Sequence, residues 1–218
     1  MTAADSTRKN RLADLASFGM AGASLLGSAL VYGRLPARFP IHFDLHGEVD
    51  GYAPRAVGAF VMPVVALVTW ALLRSVPRFL SGEARVRALA SPLPLVNALV
   101  GFLFAGLHFV MLDVALSEGT RAGSGLGLVL ALFSIGLGLV LPRLRRNGYA
   151  GIRTPYSLAS DENWQKTHRL GGMLFVGAGL VGLVAVPFGS IAVAVGALVA
   201  ASLASAIYSF TLGKTASR

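Results

Sequence analysis

The sequence predicts an all-α fold, a polytopic helical membrane bundle with about six transmembrane helices. Of its 218 residues, 55% are hydrophobic and 13% are charged, whereas a soluble domain carries roughly 25% charged residues. The 44 residues from Leu170 to Gly213 contain no Asp, Glu, Lys or Arg. One bilayer crossing takes about 20 apolar residues, so this run alone predicts two crossings.

Six apolar runs account for the predicted crossings. Pro63 lies inside the second run, Pro142 closes the fourth, and Pro187 begins the break between the fifth and the sixth. A helix that is apolar all round over such lengths has no reason to be a soluble core helix. The predicted spans are about 13–32, 56–73, 95–115, 123–141, 171–187 and 191–212.

The first run is predicted to be a retained span and not a cleaved signal. Its apolar body from Leu15 to Tyr32 has 18 residues, which is longer than a usual signal core, and no clear small-x-small cleavage site follows it. The whole chain, 1–218, is therefore predicted as a single integral membrane domain. Its two long polar loops are an outer loop at about 33–55 and an inner loop at about 142–170.

Lysine and arginine are divided unequally between the two sides of the predicted bundle. With the termini included, one side carries 15 of them and the other carries 4. Cytoplasmic loops are the ones enriched in Lys and Arg, so both termini and the 142–170 loop are expected in the cytoplasm. The net charge of +9 follows this distribution, and no basic, aromatic-interleaved segment predicts direct nucleic-acid binding.

The outer loop predicts a small hairpin over the bundle. Apolar and polar residues alternate from Ile41 to Leu45, as they do in a short strand. Asp50-Gly51 is a turn signal. In an extended strand His42 and His46 would be about 13 Å apart, so they could not bind one zinc ion, and no metal site is expected.

Cysteine is absent, which excludes a disulfide framework, a thiol nucleophile and a cysteine-based metal site. No cofactor is expected. Small residues spaced four apart would let helix backbones approach closely and favour a compact bundle. These pairs are Ala23 and Gly27, Gly101 and Ala105, Ser134 and Gly138, Ala178 and Gly182, and Gly196 and Ala200.

The inner loop predicts the start of a helix that continues into the fifth span. Ser160 is a good N-cap residue, and Asp161 and Glu162 would lie in the first turn, where the helix dipole favours anions. Upstream, Thr154 precedes Pro155, which favours an extended or turn geometry.

On that helix, Lys166 and Arg169 lie on one face, and aromatic, polar and small side chains lie on another. We expect Trp164 and His168, on this second face, to point at one neighbour, the turn at 153–155. The alternative is an interfacial helix, with the tryptophan anchored at the headgroups and the cations meeting anionic lipid. The second face carries Trp164, Thr167, His168 and Gly171, spaced i, i+3, i+4 and i+7.

Two ionisable residues fall within the third predicted span. An ionisable group at membrane depth indicates a functional site by default. His108 and Asp113 are five residues apart, so they do not share a helix face. We expect His108 to hydrogen-bond a neighbouring helix and Asp113 to sit at the outer interface.

The inner loop also carries a family pattern. Its runs G-I-R-T-P-Y-S-L and W-x-K-T-H-R-L-G-G, within 147–172, resemble the signature of the SdpI-like family, bacterial immunity proteins against the sporulation-delaying toxin. Tyr156 stands where tryptophan is also common. The matching residues, which the resemblance implies form a functional or partner-binding motif, are Gly151, Arg153, Thr154, Pro155, Trp164, Lys166, Thr167, His168, Arg169 and Gly172.

The outer loop resembles a pattern found at the front of SdpI-like proteins. It contains Leu35-Pro36, then P-x-H-F, then G-E-x-D-G, with Val49 where the pattern usually has proline. The outer-loop residues of interest are Pro40, His42, Phe43, Gly47, Asp50 and Gly51.

The resemblance implies a multi-pass protein of the bacterial cell membrane that protects against a secreted, membrane-acting toxic peptide. It also implies signalling, in which a cytoplasmic transcriptional repressor is held at the membrane. The alternative is a small transporter or exporter of an amphipathic peptide or drug. An enzyme is not expected, because the predicted topology places His42 and His168 on opposite sides of the bilayer.

Overall fold

The computed structural model describes residues 3–119 and 121–216. Within these ranges, six helices are long and apolar enough to cross a membrane, so the predicted all-α membrane fold is confirmed. The helices are α1 (Ala3–Val31), α2 (Arg55–Ser75), α3 (Gly82–Ala90), α4 (Leu93–Leu116), α5 (Gly123–Val140), α6 (Pro155–Ala159), α7 (Asp161–Ala185) and α8 (Ala192–Ala216).

Each predicted span lies on one of the six long helices, and α7 begins at Asp161, as its capping residues predicted. The Ser160 side chain accepts a hydrogen bond from the Asn163 N–H, which satisfies one of the free N–H groups of the first turn. Short 3-10 turns extend α2, α5 and α7 at their C-terminal ends, each with a proline as its second residue. The short helices α3 and α6 were not predicted.

The long helices pack as two groups of three. α4 packs against α1 and α2, α7 packs against α5 and α8, and contact between α4 and α5 joins the groups. Small residues allow the close approaches: a Cβ on Gly138 of α5 would lie 2.6 Å from the Gly172 carbonyl oxygen of α7. Of the predicted small-residue pairs, the one at Gly196 and Ala200 has no neighbour from the described part of the chain within 4 Å of its glycine's Cβ position.

The outer loop forms the predicted hairpin, but its turn lies elsewhere. Strand β1 (Arg38–Phe43) pairs antiparallel with β2 (Val49–Pro54), so the turn spans 44–48. The prediction of a turn at Asp50-Gly51 is wrong, because those residues lie inside β2. Gly51 faces His42 across the pair, where a Cβ would be 2.7 Å from the His42 Cβ.

The tip of the hairpin rests on the helix group formed by α5, α7 and α8. The Ala122 N–H, just before α5, donates to the Gly47 carbonyl (2.8 Å), and the Ala192 N–H, at the start of α8, donates to the Leu45 carbonyl (3.1 Å). Gly47 has a φ of +80°, and a Cβ there would lie 2.3 Å from the Gly123 Cα. The hairpin is therefore fixed to the bundle through its backbone.

His108 hydrogen-bonds a neighbouring helix, as predicted. Its Nε2 lies 2.8 Å from the Ser28 hydroxyl oxygen of α1, and that hydroxyl donates to the Ala59 carbonyl of α2 (2.5 Å). His108 is fully buried, so it links α1, α2 and α4 inside the bundle. Asp113 is exposed on α4, which agrees with its expected place at the edge of the span.

Candidate functional site

The inner candidate site is a folded segment, residues 144–159, that closes over the first turns of α7. Its first half is shaped by Asn147. The Asn147 side-chain oxygen accepts hydrogen bonds from the Tyr149 and Ala150 N–H groups (2.9 and 2.7 Å), and its amide donates to the Arg145 carbonyl (2.7 Å). An Asn side chain that binds nearby backbone in this way holds a tight turn.

Trp164 and His168 form the centre of the site. Their rings stack with centroids 4.0 Å apart and planes at 21°, and they are 1% and 0% exposed. The Trp164 indole N–H donates to the Leu144 carbonyl (2.8 Å). The interpretation of Trp164 as a headgroup anchor is therefore wrong, because the ring is used inside the protein to pin the polar segment to α7.

Both ring nitrogens of His168 are engaged. Nδ1 lies 2.8 Å from the Trp164 carbonyl, which can only accept, and Nε2 lies 3.0 Å from the Ile152 N–H, which can only donate. The ring is thus the neutral Nδ1–H tautomer. His168 positions backbone here, and with both nitrogens bonded it has no free lone pair for general-base chemistry.

The neighbour predicted for Trp164 and His168, the turn at 153–155, lies next to one of the two positions that they contact. His168 contacts the chain at Ile152, directly before the predicted turn at 153–155, whereas Trp164 reaches back to Leu144. Gly151 makes this approach possible. Its φ is +111°, and a Cβ would lie 2.4 Å from His168 Nε2 and 3.2 Å from the Trp164 ring, so glycine is required on both counts.

Thr154 caps the short helix α6. It has the predicted extended backbone, its hydroxyl accepts from the Ser157 N–H (3.0 Å), and the Ser157 hydroxyl accepts from the Thr154 N–H (2.9 Å). This reciprocal pair is a capping box, with Pro155 at the first helical position. The segment after Gly151 is therefore held in one conformation.

A buried hydrogen-bond network joins this segment to α7 and α8. The Thr154 and Ser209 hydroxyls lie 2.5 Å apart, and the Ser209 hydroxyl donates to the Asn163 side-chain oxygen (3.0 Å). The Thr167 hydroxyl donates to the same oxygen (3.0 Å), and the Asn163 amide donates to the Ser209 carbonyl (2.9 Å). Every side chain in the network is paired, so it adds rigidity without the cost of an unsatisfied buried group.

The motif residues divide into two kinds. Gly172 lies against the α5 backbone, where a Cβ would be 2.8 Å from the Gly138 carbonyl oxygen. The exposed members are Gly151, Arg153, Pro155, Lys166 and Arg169. Arg153 donates to the Gly148 carbonyl (2.7 Å) but presents its guanidinium at the surface. The buried motif residues and Gly151 build the segment, and the exposed side chains are available to a ligand.

The outer candidate residues lie at the opposite ends of α5, α7 and α8 from the inner site, so the structure does not bring the two sets together. His42 Nδ1 lies 2.5 Å from an Asp50 carboxylate oxygen. Pro40 is buried, and Phe43 packs against the buried cores beneath the hairpin. Among the described residues, no group of three His, Asp or Glu side chains is placed to hold a metal.

Asp44 organises the hairpin turn. Its carboxylate accepts from the His46 and Glu48 N–H groups (2.8 and 2.9 Å). The Glu48 backbone hydrogen bond is the largest cause that holds the pKa of Asp44 below its ordinary value of 3.8, and the contacts with His46 add to it. An anionic Asp44 therefore closes the turn.

Sequence reasoning missed Asn163, Ser157 and Ser209 as parts of the inner site. A usable signal was present in α8, where Ser205 and Ser209 are four residues apart and therefore share one face of a mostly apolar helix; both are fully buried. Tyr149 was also passed over, although it stands in the polar run. Burial raises the pKa of its phenol.

Two parts of the chain match known protein families. Residues 143–211, which include the inner site, α7 and most of α8, match the SdpI/YfhL protein family. Residues 19–67, which include the hairpin and parts of α1 and α2, match a domain of unknown function, DUF1648. No curated protein and no solved structure matches the chain.

Proposed function

We propose that this chain, an SdpI-like multi-pass membrane protein, protects a bacterial cell from a secreted toxic peptide that acts on the membrane. It works in the cell membrane with both termini in the cytoplasm. In the same proposal, its inner face signals by holding a transcriptional repressor at the membrane.

The match over 143–211 carries the proposal. The match covers the segment that the Trp164–His168 stack and the Asn163–Ser209 hydrogen bonds hold in one conformation. A surface built so rigidly is suited to recognition, because a preorganised site loses little conformational freedom on binding. Arg153, Lys166 and Arg169 are the motif residues that present a charge outside the buried network, and Arg153 is the one that lies on the segment itself.

The two loops are assigned different roles. The hairpin is the outward element, and its exposed polar side chains are proposed to meet the toxin. The inner segment is proposed to meet the repressor through Arg153. Support for this division comes from the charge distribution, with 15 Lys and Arg residues on one side of the predicted bundle and 4 on the other.

A survival assay tests the immunity role. A toxin-sensitive bacterium expressing the chain is exposed to purified sporulation-delaying toxin, and colony survival is compared with that of cells carrying an empty vector. Survival raised at least tenfold is expected. Unchanged survival at good membrane abundance would reject immunity against this toxin, and toxin-dependent flux in liposomes would favour an exporter instead.

A second experiment separates the inner face from the rest. Arg153→Ala should abolish membrane recruitment of any fluorescently tagged cytoplasmic repressor that the unchanged protein recruits. Arg78→Ala is the matched control, because Arg78 is also exposed and is predicted on the same side. Recruitment that is equally strong with both variants, at equal membrane abundance, would contradict the assigned role of Arg153.

A further inference from the structure

A cationic cleft lies beside the inner site, and most of the charged residues that line it are outside the family motif. Its two walls are the chain from Pro142 to Arg146 and the exposed side of the first turns of α7. Its volume is about 930 Å³. The charged residues that line it are Arg143, Arg145, Arg146, Asp161, Glu162, Lys166 and Arg169.

The cleft has more positive charge than its own acids can neutralise. Both carboxylates already have partners: Asp161 binds Arg146 (2.6 Å), and Glu162 binds Lys166 (2.7 Å). The remaining guanidinium groups make no salt bridge within the described part of the chain. They belong to Arg143, Arg145 and Arg169, all exposed.

The walls are held in place by hydrogen bonds that leave these arginine side chains free. The Trp164 indole fixes the Leu144 carbonyl, and the Ser91 hydroxyl accepts from the Arg145 N–H (3.2 Å). Arg146 also donates to the Leu158 carbonyl (2.7 Å). The backbone that carries Arg143 and Arg145 is therefore fixed opposite α7.

The position of the cleft indicates which anion it faces. The turn Leu141–Arg143 directly continues the spanning helix α5. On α7, Arg169 is the last charged residue before the uncharged run that begins at Leu170. The cations thus lie where two membrane-spanning segments reach the headgroups, and basic pockets between such helices on the cytoplasmic side bind anionic lipid headgroups.

We propose that this cleft binds the phosphate group of an anionic phospholipid. Guanidinium groups suit phosphate because their planar fork can donate two parallel hydrogen bonds to it. Arg143 and Arg169 lie at the depth of the lipid headgroups. This depth favours a lipid over an acidic segment of a soluble protein, since lipid phosphates are already present there. The proposal is independent of toxin immunity, and its test measures lipid binding alone.

The test compares lipid binding to two triple variants of the full chain purified in detergent micelles. The cleft variant is Arg143→Gln/Arg145→Gln/Arg169→Gln. The control variant is Arg11→Gln/Arg78→Gln/Arg85→Gln, which removes the same charge from exposed positions outside the cleft lining. Native mass spectrometry measures Kd for phosphatidylglycerol and for phosphatidylcholine, and melting curves check that both variants fold.

The unchanged protein is expected to bind phosphatidylglycerol at least tenfold more tightly than phosphatidylcholine. The cleft variant should lose at least tenfold of that affinity, because each cation near a lipid surface contributes appreciably to binding, and the control should lose less than twofold. Equal losses in the two variants, or equal binding of both lipids, would overturn the proposal.

Two competitors distinguish the source of the anion. Inorganic pyrophosphate and a polyglutamate peptide are each added to the protein with phosphatidylglycerol bound. Retention of the lipid against both at millimolar concentration supports a lipid phosphate. Displacement by pyrophosphate would overturn the lipid source in favour of a soluble phosphate, and displacement by polyglutamate alone would overturn it in favour of an acidic protein segment.

Discussion

The outer hairpin and the inner segment solve the same problem, that of fixing a polar loop to a membrane bundle, in different ways. The inner segment is fixed by buried side chains, with Trp164 and His168 1% and 0% exposed. The hairpin tip is fixed by backbone groups at Leu45 and Gly47, while the side chains of His42 and His46 are 71% and 82% exposed.

This difference separates residues that build from residues that are free to recognise. A buried side chain with every hydrogen bond used, such as His168, cannot change without cost to the fold. An exposed side chain on a backbone-fixed hairpin can change at little cost to stability. Most residues of the sequence signature in the inner segment are therefore there to build its structure, and fewer are there to bind a partner.

The largest effect is expected for Gly151→Ala. The methyl group would meet His168 Nε2, and the φ of +111° is strained for alanine. The free energy of unfolding should fall by about 3 kcal/mol or more, which corresponds to an apparent Tm lower by roughly 10 °C. Thermal unfolding of the purified protein in detergent measures it.

Gly148→Ala is the matched control, because no described residue lies within 4 Å of its Cβ position and its φ is not positive. It should leave the Tm within about 2 °C of the unchanged protein. A similar Tm for both variants would contradict the rigid packing of the inner segment, since the segment would then tolerate the clash by moving.

The second effect compares one substitution in the two regions. His168→Phe leaves the half-buried Ile152 N–H without its acceptor and should lower the free energy of unfolding by about 2 kcal/mol. His42→Phe changes an exposed side chain and should cost less than about 0.5 kcal/mol. Denaturation curves of the two variants give both values, and equal costs would contradict the architectural role of His168.

The third effect is a pH dependence confined to the hairpin turn. The pKa of Asp44 lies below its ordinary value of 3.8, so its ionised form stabilises the turn above that pH. That stabilisation should be lost as the pH falls below 3.8 through the folded-state pKa. Hydrogen exchange of the amides at 44–48, measured at pH 5 and pH 3, should show faster opening at pH 3 after correction for intrinsic rates.

Asp44→Asn removes the titration but keeps a side-chain oxygen that can accept from the His46 and Glu48 N–H groups. Opening of the turn in this variant should not depend on pH between 3 and 5. If the variant showed the same acid opening as the unchanged protein, another group would control the turn.

The smallest effect is expected for Glu48→Gln. Its salt bridge with Arg121 (2.7 Å) joins side chains that are 50% and 76% exposed. Exposed ion pairs contribute roughly 0–1 kcal/mol and are screened by salt, so the Tm should change by no more than about 4 °C. A larger loss that persists in 1 M salt would show that the hairpin depends on side chains as much as the inner segment does.

Local signals in the sequence predicted much of the fold because each acts over a few residues. Run length predicted all six spanning helices, and Ser160 with its acidic neighbours predicted where α7 begins. The hairpin turn was misplaced because Asp50-Gly51 is a good local turn pair. The turn at Asp44 depends on side-chain acceptance and on backbone contacts with Ala122 and Ala192, which are distant in sequence.

Composition and spacing by themselves determined the membrane class, the number of spans and the shared face of Trp164 and His168. These features depend only on the polarity of each residue and on its position in the helical repeat, and both can be read from the sequence. Only the tertiary structure decided what those side chains bind. The Leu144 carbonyl, the Ile152 N–H and the Ser209 hydroxyl come from separate parts of the chain. A hydrogen bond depends on distances that hold only once the helices have packed.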